Sequence, residues 1–205
     1  MNTTPVIAAG GPVVVVPCSA AKLVTTVPVP AADLYVGPFH RLCRRAAHAI
    51  AGSAGTVLVL SAANGFVTLD ELLAPYELRM GEAGCVRPDQ LRAQAERLGL
   101  GRARQLVALG GRAYVDAVAA VRPDVLRPLT GCRGIGQQRA RLCRIAAAEQ
   151  PLLLAQEFSG RVRPGECETA STGHDGRGRQ RLGDEGASTC GGGAPPQGPS
   201  TSTPR

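Results

Sequence analysis

A thiol, a hydroxyl and an amine follow one another closely in the segment Pro17-Cys18-Ser19-Ala20-Ala21-Lys22. Lys22 is the only lysine among the 23 lysine and arginine residues, in a chain that otherwise uses arginine for positive charge. A desolvated lysine amine can attack an electrophile, and a lysine in a loop after a strand can hold an anion. The retained lysine therefore indicates chemistry that a guanidinium cannot perform, with an ordinary surface lysine as the structural alternative.

Cys18 and Ser19 are the other candidate catalytic residues of this segment. Cys18 could be a nucleophile, but no histidine lies near it in the sequence to activate the thiol, so an inert thiol packed at a strand end is the alternative. A serine at such a position is also typical of a turn or helix cap.

A second group of polar residues lies between positions 61 and 81. Asn64-Gly65 is typical of a turn with positive φ, and Asn64 could read the edge of a base. Tyr76 could stack on a base or donate a hydrogen bond, or it could be a core aromatic residue. Asp70 could serve as acid or base, although capping of a helix over residues 70–73 is the favoured interpretation. Arg79 could hold an anion or pair with a neighbouring glutamate.

Two basic sets have a spacing that suits a phosphate backbone. Arg41, Arg44 and Arg45 share one helix face with His48, and a solvated helix face is the alternative. Arg133, Gly134 and Gly136 come just before a predicted helix, where glycines expose backbone N–H groups to an anion. That run also resembles the hairpin of a helix-hairpin-helix, with tight packing of the last helix as the equal interpretation.

The elements that position these residues alternate between strands and helices. Buried strands are predicted at residues 13–16, 56–60 and 105–109, with a short fourth strand at 125–126. Helical periodicity predicts helices at residues 40–51, 88–99, 112–121 and 137–149. This alternation predicts a three-layer α/β/α sandwich around a small, mostly parallel sheet of about four strands. Ligands of such sheets bind beyond the carboxyl ends of the strands, where Lys22 and Asn64 would lie.

Composition sets the limits of the folded part. The 205 residues are 44% hydrophobic but only 3% aromatic, so the core must be aliphatic. We expect a single domain over residues 10–157 and a disordered tail over residues 158–205, which is dominated by Gly, Pro, Ser and Thr. No apolar run reaches the about 20 residues of a membrane helix, and no secretory signal is recognisable at the N-terminus.

These limits lead to expectations about location, cofactors and partners. The seven cysteines have neither metal-ligand nor disulfide spacing, so we expect free thiols in a cytoplasmic protein. No metal, no organic cofactor and no membrane contact are expected, and a monomer is favoured. The net charge of +7 is compatible with nucleic acid, although a solvated basic surface is the simpler explanation.

The order of these motifs resembles an uncharacterised family of small bacterial and phage α/β proteins. The resemblance covers about residues 12–145 and depends on the Cys-Ser-x-x-Lys motif at Cys18–Lys22, on Leu34-Tyr35-Val36-Gly37-Pro38-Phe39 and on the Leu-Ser-Ala-x-x-Gly motif at residues 60–65. Residues 69–81, which include Pro75-Tyr76-Glu77-Leu78-Arg79-Met80-Gly81, are more distantly similar to a segment of the YaaA family of peroxide-stress proteins. Pro17-Cys18 and Lys22 are similar to a loop of the archaeosine synthase core, whose lysine attacks a deazaguanine nitrile.

The resemblance implies two functions. In the first, the protein is an enzyme that acts on a nucleobase or nucleic acid, with Lys22 as nucleophile or anion holder. In the second, it is a non-enzymatic DNA-binding protein of the YaaA oxidative-stress type. The archaeosine synthase activity itself does not transfer, because Leu23 and Val24 follow Lys22 where that enzyme continues with Pro-Tyr.

Overall fold

A four-stranded sheet forms the centre of the protein, for which a computed structural model describes Ile7 and residues 10–160. Its strands lie in the spatial order β4-β3-β1-β6, and β1 is parallel to both of its neighbours, whereas β4 is antiparallel to β3. A separate antiparallel pair joins β2 and β5. The strands are β1 (Pro12–Pro17), β2 (Val29–Pro30), β3 (Thr56–Ser61), β4 (Gly65–Thr68), β5 (Leu72–Leu73) and β6 (Gln105–Ala108).

Helices cover both faces of this sheet. They are α1 (Ala31–Leu34), α2 (Pro38–Ala51), α3 (Pro88–Leu98), α4 (Arg112–Val121), α5 (Ile135–Ala147) and α6 (Pro151–Phe158). Val14 and Val16 point to the face covered by α2, α5 and α6, while Val13 and Val15 point to the face covered by α3 and α4. The strands are therefore apolar on both sides, and the predicted three-layer α/β/α sandwich with a mostly parallel sheet is confirmed.

The fourth strand of the sheet differs from the prediction. The fourth strand was predicted at residues 125–126, but it is Gly65–Thr68 that folds back on β3 as the antiparallel strand β4. The predicted turn at Asn64-Gly65 is correct, and Gly65 has a φ of 77°. Because this turn is tight, the β-prone residues that follow it meet the neighbouring strand at once. Residues 125–126 form only a bridge, in which Leu126 pairs with Val107.

Two other expectations about local structure are wrong. Asp70 does not cap a helix, because Leu72–Leu73 is a strand that pairs with Val29–Pro30. The segment before Gly134 contains turns instead of a helix, so the run that begins at Gly134 is not the hairpin of a helix-hairpin-helix. The helix that follows begins at Ile135, two residues earlier than predicted.

The C-terminal expectations concern mostly residues outside the described part. The last described helix includes Phe158, and the predicted disordered tail, residues 158–205, lies outside the described residues apart from its first three. In residues 10–160, no helix combines the length and the hydropathy needed to cross a bilayer.

Candidate functional site

The carboxyl ends of β1 and β3 bring together side chains from distant parts of the sequence. Cys18 follows β1, and Ser61 is the last residue of β3. The three tyrosines of the chain join them, one from each of three further segments, and they are Tyr35, Tyr76 and Tyr114. We refer to these five residues as the hydroxyl cluster.

Hydrogen bonds connect Ser61 to two of the tyrosines. The Tyr76 hydroxyl lies 2.9 Å from Ser61 Oγ and 3.0 Å from the Tyr35 hydroxyl. Ser61 Oγ also accepts hydrogen bonds from the backbone N–H and the side-chain amide of Asn64, at 3.0 and 3.1 Å. Because its acceptor sites are used by Asn64, Ser61 has its own proton to donate to the Tyr76 oxygen.

The second pair in the hydroxyl cluster is a thiol and a phenol. Cys18 Sγ lies 3.0 Å from the Tyr114 hydroxyl, and the Cys18 backbone N–H donates to the carbonyl of Leu60. Cys18 is thereby held at the strand end with 8% of its surface exposed. The sequence showed no nearby partner for the Cys18 thiol, and the structure places the Tyr114 phenol next to it.

Burial makes the tyrosines of the hydroxyl cluster hydrogen-bond donors. The pKa values of Tyr76 and Tyr114 are raised chiefly because burial penalises the charged phenolate, and neighbouring Cys18 raises them further. Burial also raises the pKa of Tyr35. All three hydroxyls therefore carry their protons at neutral pH and can stabilise negative charge, but they cannot serve as bases.

Lys22 lies directly beside the hydroxyl cluster. Its Nζ is 4.3 Å from the centre of the Tyr76 ring, a cation–π distance. Its backbone is positioned by a bridge to Tyr35, supported by hydrogen bonds from the N–H of Leu23 to Leu34 and from the N–H of Val36 to Ala21. The lysine expected to be functional is therefore next to the tyrosine expected to be functional.

His40 is a site residue that sequence reasoning missed. It is only 2% exposed, and its Nδ1–H donates to the carbonyl of Pro17, 2.7 Å away, immediately before Cys18. Burial lowers the pKa of His40, so the ring is neutral, and its Nε2 has no hydrogen-bond partner among the described residues. A histidine thus supports the start of the Cys18–Lys22 loop from a position 22 residues after Cys18, and no local pattern indicated this.

The other predicted catalytic and substrate-binding residues have different surroundings. A side chain at position 37 would run into Ser19 Oγ, so Ser19 packs against the beginning of α2. Asp70 is exposed, and a hydrogen bond from Thr68 lowers the pKa of its carboxyl. Arg79 is also exposed, and its backbone N–H donates to Glu82 in a surface turn. None of the contacts found in the described residues joins Asp70 or Arg79 to the hydroxyl cluster.

The arginines of α2 face a surface groove of about 540 Å³, which we call the arginine groove. Arg41, Arg44, Arg45 and His48 form its basic wall, and Leu23, Asp33, Tyr35 and Val36 lie opposite. Arg44 donates a hydrogen bond to the carbonyl of Ala32 and so also fixes α1. The predicted helix stripe is therefore one side of a concave surface.

The second predicted basic set lies at the beginning of α5. Gly134 and Gly136 are exposed there, and the backbone N–H of Arg133 donates to the side chain of Gln137. The five cysteines in the described residues are all free thiols. Among residues 10–160, no group of three or more His, Cys, Asp or Glu side chains could hold a metal ion.

Comparisons with known proteins agree on a family. The family model DUF6884, described as a family of unknown function, matches residues 13–144. The uncharacterized protein YfjM of Bacillus subtilis (strain 168) is 31% identical over 132 residues, which make up 60% of this chain and 86% of YfjM. No solved structure matches. The expected relation to an uncharacterised family is thereby confirmed, and the more distant resemblances remain predictions.

Proposed function

We propose that this chain, which belongs to the DUF6884 family of unknown function, is a cytoplasmic enzyme that processes a nucleobase, free or in nucleic acid, with Lys22 in its active site. The observation that carries the proposal is the position of Lys22 Nζ, 4.3 Å from the Tyr76 ring, whose hydroxyl is hydrogen-bonded to Ser61 and Tyr35. A cation and several protonated hydroxyls at the carboxyl ends of parallel strands are suited to a planar substrate with polar edges.

The roles follow from the protonation of these groups. Tyr35 and Tyr76 keep their protons because burial raises their pKa values. Tyr76, which is half-buried, donates a hydrogen bond to an oxygen or nitrogen at the edge of the base, and buried Tyr35 supports it from behind. Such donors stabilise negative charge that develops there during a reaction. Lys22 either holds the developing anion as a cation or, after losing a proton, adds through its amine to an electrophilic carbon of the base, whose π electrons move to the adjoining nitrogen. Cys18 is a second candidate nucleophile of the same site.

The resemblance of residues 17–22 to the archaeosine synthase core supports this proposal, because the lysine of that loop attacks a base. The resemblance of residues 69–81 to the YaaA family supports the association with nucleic acid and with peroxide stress. Asp70, expected as an acid or base, is exposed and bonded to Thr68, so the hydrogen-bond donors of the proposed site are the tyrosines.

The test is a titration of the full chain against single-stranded DNA, duplex DNA and tRNA, at low and at physiological salt, with the bases analysed by mass afterwards. Lys22→Ala is expected to abolish conversion of the base without lowering the melting temperature. Lys22→Arg keeps a cation over the Tyr76 ring but removes the primary amine. If Lys22→Arg still converts the base, Lys22 acts by holding an anion. If Lys22→Arg does not convert the base, Lys22 acts as the nucleophile.

Full conversion by Lys22→Ala would contradict the proposal. The competing function is non-enzymatic DNA binding. In that case the affinity falls steeply with salt concentration, and replacing Lys22 lowers the affinity no more than replacing any single arginine. Arg97→Gln, a change at an exposed position of α3 on the other side of the sheet, is the matched control for the loss of one positive charge.

A further inference from the structure

The arginine groove and the hydroxyl cluster adjoin each other in the fold, because Tyr35 lines the groove and its hydroxyl is hydrogen-bonded to Tyr76. Leu23, which also lines the groove, directly follows Lys22. Tyr35 and the Lys22–Leu23 pair therefore connect the two sites.

The charge of the arginine groove is available to a ligand. Arg41 and Arg45 are exposed and form no ion pair with any residue that the structure describes. Arg44 uses one N–H for the Ala32 carbonyl, and Asp33 is the one carboxylate on the opposite wall. Three guanidinium groups and one carboxylate leave an excess of positive charge. A guanidinium group can donate two parallel hydrogen bonds to two oxygens of one phosphate.

The length of the basic wall exceeds what one phosphate needs. Arg41, Arg45 and His48 lie on one face of α2. His48 is seven positions after Arg41, which corresponds to about 10 Å of helix. Successive phosphates of one strand are separated by more than the about 3.4 Å that each advances along a duplex axis, so about two of them fit along this wall. A free base would leave the wall empty, and a single nucleotide would occupy only part of it.

Base pairing would keep a base away from Lys22. Tyr35 is only 1% exposed, whereas Lys22 and Tyr76 are half-buried, so the base would contact these two residues, and the partner strand of a duplex would obstruct that approach. Taking a base out of a duplex costs a few kcal/mol, whereas a single strand offers its bases without that cost.

Together these observations extend the proposed function, on which they depend, to a substrate class. We infer that the substrate is a base within a single-stranded nucleic acid, whose phosphodiester backbone lies in the arginine groove against Arg41 and Arg45 while the base lies beside Lys22. The chemistry that is recognised is the row of phosphodiesters, which single-stranded DNA and single-stranded RNA share.

The experiment measures binding of fluorescein-labelled single-stranded DNA of about 12 nucleotides, and of RNA of the same sequence, by anisotropy over a range of salt concentrations. Wild type is compared with two double variants. The groove variant is Arg41→Gln/Arg45→Gln, and the control is Arg97→Gln/Arg92→Gln, which removes two exposed charges from α3. We expect the groove variant to bind at least tenfold more weakly. Its slope of log K against log salt should be smaller by about 1.4, since each phosphate contact of a single strand contributes about 0.7.

Several results would overturn the inference. One is a groove variant that binds like the control, and another is wild type that prefers the matching duplex. A third is displacement of the labelled strand by a nucleoside monophosphate at an equal concentration of phosphate groups. A difference between the DNA and RNA arms identifies the source of the backbone and leaves the inference standing.

Failure of the inference and failure of the proposed function can be told apart. If Lys22→Ala loses conversion of the base while the groove variant behaves like the control, the active site stands and the backbone site is wrong. If the groove variant loses binding while Lys22→Ala has the same effect as Arg97→Gln and no base is converted, the backbone site stands and the proposed enzyme is wrong.

Discussion

His40 holds the end of β1 from inside the protein. Its Nδ1–H donates to the Pro17 carbonyl at 2.7 Å, and Pro17 immediately precedes Cys18. A buried polar atom without a partner costs about 1–3 kcal/mol, so the unpartnered Nε2 of His40 is a cost that the fold tolerates at this place. Such exceptions are frequent at functional sites, and this one lies directly behind the Cys18–Lys22 loop.

The stability of the protein should therefore depend on the protonation of His40. Burial lowers the pKa of His40 from its usual 6.5, so the unfolded chain binds a proton at a pH where the folded protein does not. The stabilisation is complete above about pH 6.5 and is lost as the pH falls below it, by at most about 1.4 kcal/mol per pH unit. The measurement is the free energy of unfolding in urea at about pH 7.5 and about pH 5.5.

Two histidine variants separate this effect from the titration of other groups. His40→Gln is expected to be less stable at both pH values and to show a smaller difference between them than wild type. His48→Gln, a change at an exposed position of the same helix, should keep the wild-type difference. An equal pH dependence in wild type and His40→Gln would contradict the assignment.

At the scale of elements, Gln94 joins α3 to the turn between β3 and β4. Its Oε1 accepts the backbone N–H of Phe66 at 2.9 Å, and its Nε2 donates to the carbonyl of Asn64 at 2.6 Å. The turn needs the positive φ of Gly65, where a side chain would also collide with Gln94. Asn64 in turn donates to Ser61, so the position of the hydroxyl cluster depends on this connection.

Removal of the Gln94 amide should destabilise the protein measurably. Gln94→Ala leaves one backbone donor and one backbone acceptor without their partner, and we expect a loss of about 1–2 kcal/mol in urea unfolding. Gln94→Glu keeps the acceptor for Phe66 but loses the donor for Asn64, so an intermediate loss is expected near neutral pH. A Gln94→Ala variant as stable as wild type would show that the turn does not need α3.

The sequence predicted the elements with long, strongly patterned runs and missed the short ones. Val13–Val16 is an uninterrupted β-branched run, and the strand found there differs by only one residue at each end. β2 and β5 have two residues each and depend on pairing between positions more than 40 residues apart, which periodicity cannot show. For the same reason Lys22 and Tyr76 were recognised from residue type, whereas Ser61 and His40 emerged only from tertiary packing.

At the scale of the whole molecule, the last described helix closes the face of the sheet that α2 and α5 cover. Ala155 of α6 is fully buried in the core of that face, and Phe158 packs against it. The guanidinium groups of Arg141 and Arg144 each lie 5.0 Å from the centre of the Phe158 ring. Arg141 also donates to the carbonyls of Pro128 and Thr130, so it ties α6 to the segment before α5.

The folded domain should therefore require Phe158, one residue beyond the boundary that composition suggested. Phe158→Ala is expected to lower the free energy of unfolding by about 2 kcal/mol, because a fully buried phenylalanine contributes about 3–5 kcal/mol and Phe158 is half-buried. Phe158→Leu keeps apolar volume but loses both cation–π contacts, and should lose about 1 kcal/mol. Leu153→Ala on the same helix is the control, since Leu153 is 40% exposed and should lose less than Phe158→Ala. If Phe158→Ala and Leu153→Ala unfolded at the same urea concentration, α6 would be an appendage of the domain instead of its last layer.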